Sequence, residues 1–301
     1  MEITHYPVLL KEVIQSFESL RGKKDLFFLD CTAGEGGHSL AILNEFPDSR
    51  ILLNDRDSVM LERSKIRLQD FKSRCFFLEG LFSEIDKSIF EEIETNSFDG
   101  ILLDFGISTF HLKDSERGFS FKNNEFLDMR LSIEQKLTAY EVINKYSSVK
   151  LNEIFRKYGE ENWTLKIVDK ILLDRKKTPI KTTLDLAKLV ESVIPRKFWP
   201  DKTHPSFRVF QALRIEVNSE LDSIQNALHK LPTLLSPNGI LSAISFHSLE
   251  DRIVKNTFKE LEKDSHFKVL TKKPIVPSDE EIELNFPSRS AKLRILSSVH
   301  E

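Results

Sequence analysis

Three aspartates, Asp30, Asp55 and Asp104, stand at the ends of short apolar runs, and that recurrence restricts what this chain can fold into. Leu26-Phe-Phe-Leu29 leads into Asp30, Ile51-Leu-Leu53 into Asn54-Asp55, and Ile101-Leu-Leu103 into Asp104; Cys75-Phe-Phe-Leu78 is a further run among them. Segments with helical spacing, Ser39 to Leu43 and Met60 to Phe71, lie between the runs. A strand buried on both faces reads as a continuous apolar run. Alternating such runs with amphipathic helices predicts βαβ units and a parallel sheet covered on both sides. In an open α/β sheet the ligand crevice lies beyond the carboxyl ends of the strands, so the three acids are expected to converge there.

The next buried run, Gly239 to Ser245, follows the turn residues Ser236, Pro237 and Asn238. It begins 131 residues after Ser108, whereas an ordinary strand-to-strand crossover takes roughly 30. A large insertion is therefore expected, and its pattern is helical. Ala139 to Val142, Leu151 to Phe155 and Ile167 to Leu173 have helical spacing, and Thr183 is the N-cap candidate of a helix that Pro195 stops after Ile194. Phe207 to Leu221 reads as a helix with Arg208, Gln211, Arg214 and Asn218 on one face and Val209, Leu213, Val217 and Leu221 opposite. A polar stripe without acids suits solvent or an RNA backbone equally. Residues 114–218 carry 20 Lys plus Arg against 15 Asp plus Glu, a net of +5, leaving −8 on the remainder. A solvated helical surface can carry such a bias, but it also places positive charge where a polyanion would bind.

The whole chain, 301 residues with a net charge of −3, has no basic field that could by itself attract nucleic acid. Cys31 and Cys75 are far apart and lack partners at metal-ligand spacing, which excludes a disulfide scaffold and a Cys-type zinc site and fits a reducing compartment. Met1 to Leu20 interleaves Glu2, Lys11, Glu12 and Glu18 with its apolar positions and so lacks the apolar core of a signal peptide. No run approaches the roughly 18–20 apolar residues of a membrane span. A cytoplasmic location with no membrane partner is expected.

Asp30-Cys-Thr-Ala-Gly34-Glu-Gly36-Gly37-His38 sits where the first strand feeds its helix. Glycines there allow close approach of a ligand to the backbone and to the free N–H groups of a helix start. As a dinucleotide fingerprint the turn fails, because the third glycine position holds Ser39. Asp55 is placed to accept hydrogen bonds from ribose hydroxyls of any nucleoside ligand. Asp30 and Glu35 would repel a pyrophosphate yet tolerate the sulfonium and amino groups of S-adenosylmethionine. The alternative is that Asp30 only caps the turn and Glu35 faces solvent.

Further blocks run through the chain: His5-Tyr-Pro-Val-Leu-Leu-Lys-Glu12, Asp104-Phe-Gly-Ile-Ser108, Arg117-Gly-Phe-Ser-Phe121, Leu127-Asp-Met-Arg130, Tyr158-Gly-Glu-Glu161, Phe210-Gln-Ala-Leu-Arg-Ile215, Asn218-Ser-Glu-Leu221, Ser245-Phe-His-Ser-Leu-Glu-Asp-Arg252 and Ser288-Arg-Ser-Ala-Lys-Leu-Arg294. Together with the glycine turn, and in this order, they resemble the RsmH (MraW) family of bacterial small-subunit ribosomal RNA cytosine-N4 methyltransferases. The resemblance implies an α/β fold: a Rossmann-like, S-adenosylmethionine-dependent methyltransferase domain, assigned here to 1–113 and 219–301, interrupted by an inserted helical substrate-recognition domain at 114–218. It implies methylation of the exocyclic N4 of one cytidine in the decoding centre of 16S rRNA, with the small ribosomal subunit as partner and a homodimer as a form open to the chain. The family's donor-binding positions fall on Gly36, Gly37, His38, Asp55, Phe82 and Asp104. The last of that set, usually Gln, falls on His111.

Methyl transfer to an amine is an in-line displacement that needs no metal and gains most from holding the reacting atoms in near-attack geometry. Asp104 is the catalytic candidate, as a group that positions the donor, the amine, or both. A base taken out of its stack is held by aromatic and arginine planes, which makes Arg117 and Phe119 substrate-binding candidates. Phe121 reads more readily as packing of the insertion against the core. Asp128 and Arg130 either contact substrate or pair with each other. Arg208, Arg214, Ser245 and His247 complete the expected substrate contacts, and Arg289, Lys292 and Arg294 offer further cations to RNA along a terminal strand. The rival readings are a methyltransferase for another amine, a non-catalytic RNA-binding factor, and an NAD enzyme.

Overall fold

A computed structural model describes residues 6–201 and 203–299. His5, the first residue of the N-terminal block, lies outside the described residues. The chain opens with helix α1 (Leu10–Ser16). Strand β1 (Phe27–Asp30) leads into α2 (Gly37–Glu45), and β2 (Arg50–Asp55) leads into α3 (Ser58–Arg67). Next come β3 (Cys75–Glu79), the short α4 (Ile89–Glu92) and β4 (Phe98–Asp104). Helices follow: α5 (Thr109–Lys113), α6 (Ala139–Lys145), α7 (Ser148–Lys157), α8 (Thr164–Arg175), α9 (Thr183–Val193) and α10 (Phe207–Asn218). After α11 (Glu220–Lys230) come β5 (Leu235–Ser245), α12 (Ser248–Leu261), β6 (Phe267–Val269), α13 (Asp279–Leu284) and β7 (Lys292–Ser298). No helix among the described residues is long and apolar enough to cross a membrane.

The seven strands form one mixed sheet in the order β3-β2-β1-β4-β5-β7-β6. β1 to β5 pair in parallel, whereas β7 runs antiparallel to both β5 and β6. Alternate residues of one strand enter different cores. Phe27 and Leu29 join Leu52, Ile101 and Leu103 on one face, while Phe28 joins Ile51, Leu53 and Leu102 on the other. Both faces of β1, β2 and β4 are therefore dry, which is why the centres of these strands read as unbroken apolar runs.

Two compact units result, Met1–Gly106 with Leu221–Glu301, and Ile107–Glu220. The second is built around Leu151, Ile154 and Phe155 of α7, Ile167 and Ile171 of α8, Leu186 and Val190 of α9, and Val209 and Leu213 of α10. The N-cap of α9 is Thr182, one residue before the position expected from sequence. Thr182 accepts from the Asp185 N–H while Asp185 accepts from the Thr182 N–H. Thr183 is buried, and its hydroxyl instead donates to the Asn123 carbonyl and accepts from the Glu125 N–H. α10 ends before Leu221 because Ser219 turns to φ +50°. Asn218, expected on an open polar face, is 1% exposed; its Nδ2 donates to the Met129 and Arg214 carbonyls and its Oδ1 accepts from the Leu131 N–H.

Gly118 lies in this unit at φ +71°, and a Cβ there would stand 2.2 Å from the Phe126 carbonyl oxygen. Left-handed strain and a clash with rigid backbone add together. Gly118→Ala should therefore lose at least about 3 kcal/mol of stability in chemical unfolding, while Lys122→Ala nearby stays within about 0.5. Equal effects would contradict this packing.

Candidate functional site

β1 lies between β2 and β4, so the parallel connections leave it in opposite directions and open a crevice beyond the ends of β1 and β4. Asp30 and Asp104 terminate these two strands. Asp30 is 1% exposed; its Oδ2 accepts from the Ser39 hydroxyl at 2.6 Å and its Oδ1 from the Thr32 N–H at 3.2 Å. Burial pushes its carboxyl up to about 6 against the pull of these hydrogen bonds, and the charge of Asp55 adds to the rise. The Thr32 hydroxyl oxygen accepts from the Asp104 N–H at 2.7 Å and so ties the end of β1 to the end of β4.

The Asp104 side chain keeps 24% of its surface, but Oδ1 is enclosed and has no hydrogen-bond partner among the described residues. Oδ2 lies 3.5 Å from Nε2 of the buried His38. Burial first, and then the carboxylates of Asp30 and Glu250, hold Asp104 well above the usual carboxylate range. Glu250 is fully buried in the first turn of α12, where one oxygen accepts from the N–H groups of Phe246 and His247. Such a cluster of acids in little water favours a cationic or hydrogen-bond-donating ligand over an anion.

Gly36 caps α2 from a left-handed conformation, φ +76°. At Gly37 the close neighbour is Pro7, whose Cγ would lie 2.6 Å from an added Cβ. Asp55 supports the turn: one carboxylate oxygen accepts from the Gly34 N–H and the other from the Asp57 N–H, both at 2.9 Å. Glu35 pairs with Arg63 at 2.7 Å, so the repulsion of a pyrophosphate expected from this acid is neutralised, and Asp30 carries that argument alone. Phe82, beyond β3, packs beside Phe105 with ring centroids 6.1 Å apart.

Several residues that shape the crevice were missed in the sequence. Ser39, read there only as a departure from a glycine pattern, is the partner of Asp30; a glycine could not make that bond. Thr32 gave no signal of its own. Asn54 lies buried and donates to the carbonyls of Leu78 and Gly80, fastening β2 to the chain after β3.

At the end of β5, Ser245 is buried and donates to the Lys292 carbonyl at 3.4 Å. His247 caps α12, its Nδ1 accepting from the Glu250 N–H and its Nε2 lying 3.1 Å from Glu250 Oε1. The terminal cations depart from expectation. Arg294 is 7% exposed and pairs with Asp251 at 2.7 Å, so it is withdrawn from solvent; Lys292 shares the same acid. Arg289 precedes β7 and lies over the Phe286 ring.

The remaining candidates belong to the helical unit. His111 is buried in α5, where its Nδ1 accepts from the Ser108 N–H at 3.2 Å and its ring packs against Phe119. Arg117 donates to the Leu131 carbonyl, and Phe119 is 6% exposed within the core. Phe121 stacks on His204 with centroids 4.5 Å apart, and His204 in turn bonds Glu191 and Ser206. Arg130 grips Asp128 through two hydrogen bonds of 2.7 and 2.9 Å. On α10, Arg208 donates to the Glu160 carbonyl, Gln211 to that of Tyr158, and Arg214 makes a two-pronged pair with Glu220.

The Asp30 carboxyl has a folded value near 6 against an ordinary 3.8. A raised acid stabilises the fold fully below the unfolded value, and that contribution is lost as pH rises through the folded one. Relative to Asp30→Asn, the natural chain should therefore lose about 3 kcal/mol of unfolding free energy between about pH 4 and 6.5. Parallel stability curves for the two proteins would contradict the buried, ionising acid.

Three comparisons bear on identity. The model of the MraW methylase family matches residues 2–299. The chain is 53% identical over 98% of its length to the "Ribosomal RNA small subunit methyltransferase H" of Leptospira interrogans, covering 89% of that protein. It is 47% identical over 97% of its length to the protein of the same name from a Sulfurihydrogenibium species, covering 98% of it. Among solved structures, a putative methyltransferase from Streptococcus mutans in complex with SAH shares 11% identity over 96% of this chain and 97% of that one, with a TM-score of 0.44, too distant to carry weight. The chain belongs to the MraW methylase family.

Proposed function

We propose that this chain transfers a methyl group from S-adenosylmethionine to the exocyclic N4 of a cytidine in the decoding centre of 16S rRNA, with the small ribosomal subunit as its substrate in the cytoplasm. Family membership and the name shared by its relatives support methylation of small-subunit RNA. The observation that carries the site assignment is Asp104, an acid at the switch point with an enclosed oxygen that lacks a partner among the described residues. Such an oxygen fits a ligand that brings hydrogen-bond donors or positive charge.

We assign the donor to the sheet unit, to Gly36, Gly37, His38, Asp55, Phe82 and Asp104. When bound, the donor supplies an electrophilic methyl carbon on a sulfonium. Asp55 presents its carboxylate beside the glycine turn for ribose hydroxyls, while Asp30, through Ser39 and Thr32, fixes the geometry of both strand ends. Asp104 is positioned to accept a hydrogen bond from an amine and to favour positive charge as it develops on nitrogen. Its raised proton affinity equips it to take up the proton that N4 must lose. Arg117, Asp128, Arg130, Arg208 and Arg214 of the helical unit, and His247 at the start of α12, are assigned to the RNA; the buried Phe119 and Ser245 are left to packing.

Asp104→Asn should lower methyl transfer by about 100-fold or more while leaving the melting temperature unchanged or higher, since it removes a raised, buried acid. Full activity in this variant would remove Asp104 from the site. The function itself is tested by tritium transfer from labelled donor to free 16S rRNA, unmethylated small subunits and DNA, followed by separation of nucleosides. N4-methylcytidine from the small-subunit RNA is expected; label in another nucleoside or in protein would overturn the reading.

A further inference from the structure

The turn after α9 carries an aromatic surface that the donor site and the assigned RNA contacts do not use. Pro195 stops the helix, and the next residues, Arg196, Lys197, Phe198 and Trp199, contain no acid. The backbone of this turn is firmly held. The Phe198 N–H donates to the Pro195 carbonyl at 2.8 Å, the Trp199 N–H to the Arg196 carbonyl at 3.1 Å, and the Trp199 indole to the Ile194 carbonyl at 2.9 Å. Phe198 nevertheless leaves 53% of its surface in water. It lies against Trp163, just before α8, with ring centroids 5.3 Å apart.

Each of the three rings has its own cation. Lys166 stands 4.9 Å from the Trp163 centroid, Lys197 5.0 Å from that of Phe198, and Arg196 5.0 Å from that of Trp199. Lys166, Arg196 and Lys197 are exposed. A single exposed apolar side chain is ordinary, but a held group of rings, each with a cation over it, has a definite complement. Bases stack on aromatic faces regardless of sequence, and lysine and arginine beside them meet the phosphates. An acidic protein segment would match the charge but would leave the planar faces unfilled.

We propose that Trp163, Phe198 and Trp199, with Lys166, Arg196 and Lys197, form a docking surface for unpaired nucleotides of single-stranded RNA. The half-exposed Phe198 supplies the stacking contact, and the cations, which lie over the rings in the free protein, bind the flanking phosphates. This proposal rests on the RNA-methylating reading above and adds an anchoring surface to it.

Trp163 and Trp199 are the only tryptophans in the chain, so intrinsic fluorescence reports on this surface directly. Titrating the full-length protein with a single-stranded oligocytidylate should quench that emission. Phe198→Ala should weaken binding about tenfold, Phe198→Trp should restore it, and a base-paired duplex should bind without the same quenching. Replacing both Lys166 and Lys197 by Gln should lower the salt dependence of log K by about 1.4, the contribution of two phosphate contacts on a single strand. Unchanged oligonucleotide affinity in Phe198→Ala, with its melting temperature also unchanged, would overturn the proposal. So would weakened binding to intact small subunits without weakened binding to the oligonucleotide, which would point to a protein contact. If the natural chain methylates small subunits and Phe198→Ala is indifferent, only the docking surface fails; if it methylates no RNA, the underlying reading fails first.

Discussion

The parallel pairing of β1 with β4 is the contact on which the candidate site depends. It sets Asp30 opposite Leu102, two residues before Asp104, and the Thr32 hydroxyl ties the two strand ends together through the Asp104 N–H. The dry faces of the sheet make this register costly to shift, because a slip of one residue would exchange Phe27 and Leu29 with Phe28 between two cores. The same burial that stabilises the sheet raises the proton affinity of both acids. Stability is thus surrendered locally at the strand ends, as expected where preorganised charge serves a ligand.

The central strands were legible because their residues are apolar on both faces, and the site was legible in outline because strand ends in this architecture face the crevice. Asp30 and Asp104 followed from that rule alone. Partners distant in sequence did not. The pairing of Glu35 with Arg63 and of Arg294 with Asp251 depends on which side chains the sheet and helices bring together, so charge read along the chain overstated both the negative turn and the positive terminal strand. The face of α10 differs along its length: Arg208 is exposed, as a polar stripe suggests, whereas Asn218 is buried and donates to the Met129 carbonyl. Periodicity shows which residues share a face, but not what covers it. Thr182 displaced Thr183 as N-cap because the second threonine is needed inside.

The helical unit is held by polar ties as well as by its core. Asn218 joins α10 to the segment at Met129 and Leu131, Arg130 locks onto Asp128, and His204 bridges Glu191 and the aromatic stack at Phe121. These bonds help to offset the conformational entropy lost in ordering a long excursion between β4 and β5. They also hold Arg130 in a fixed orientation.

The central claim is that buried acids at the β1 and β4 ends form a site for a positively charged methyl donor. Carbon-detected NMR titration of the Asp104 carboxyl, with and without S-adenosylmethionine, tests it most directly. Asp104 should ionise well above the ordinary aspartate range in the free protein and shift downward when the sulfonium and amino groups arrive. An Asp104 that titrates like an exposed aspartate, or that ignores the donor, would contradict the account.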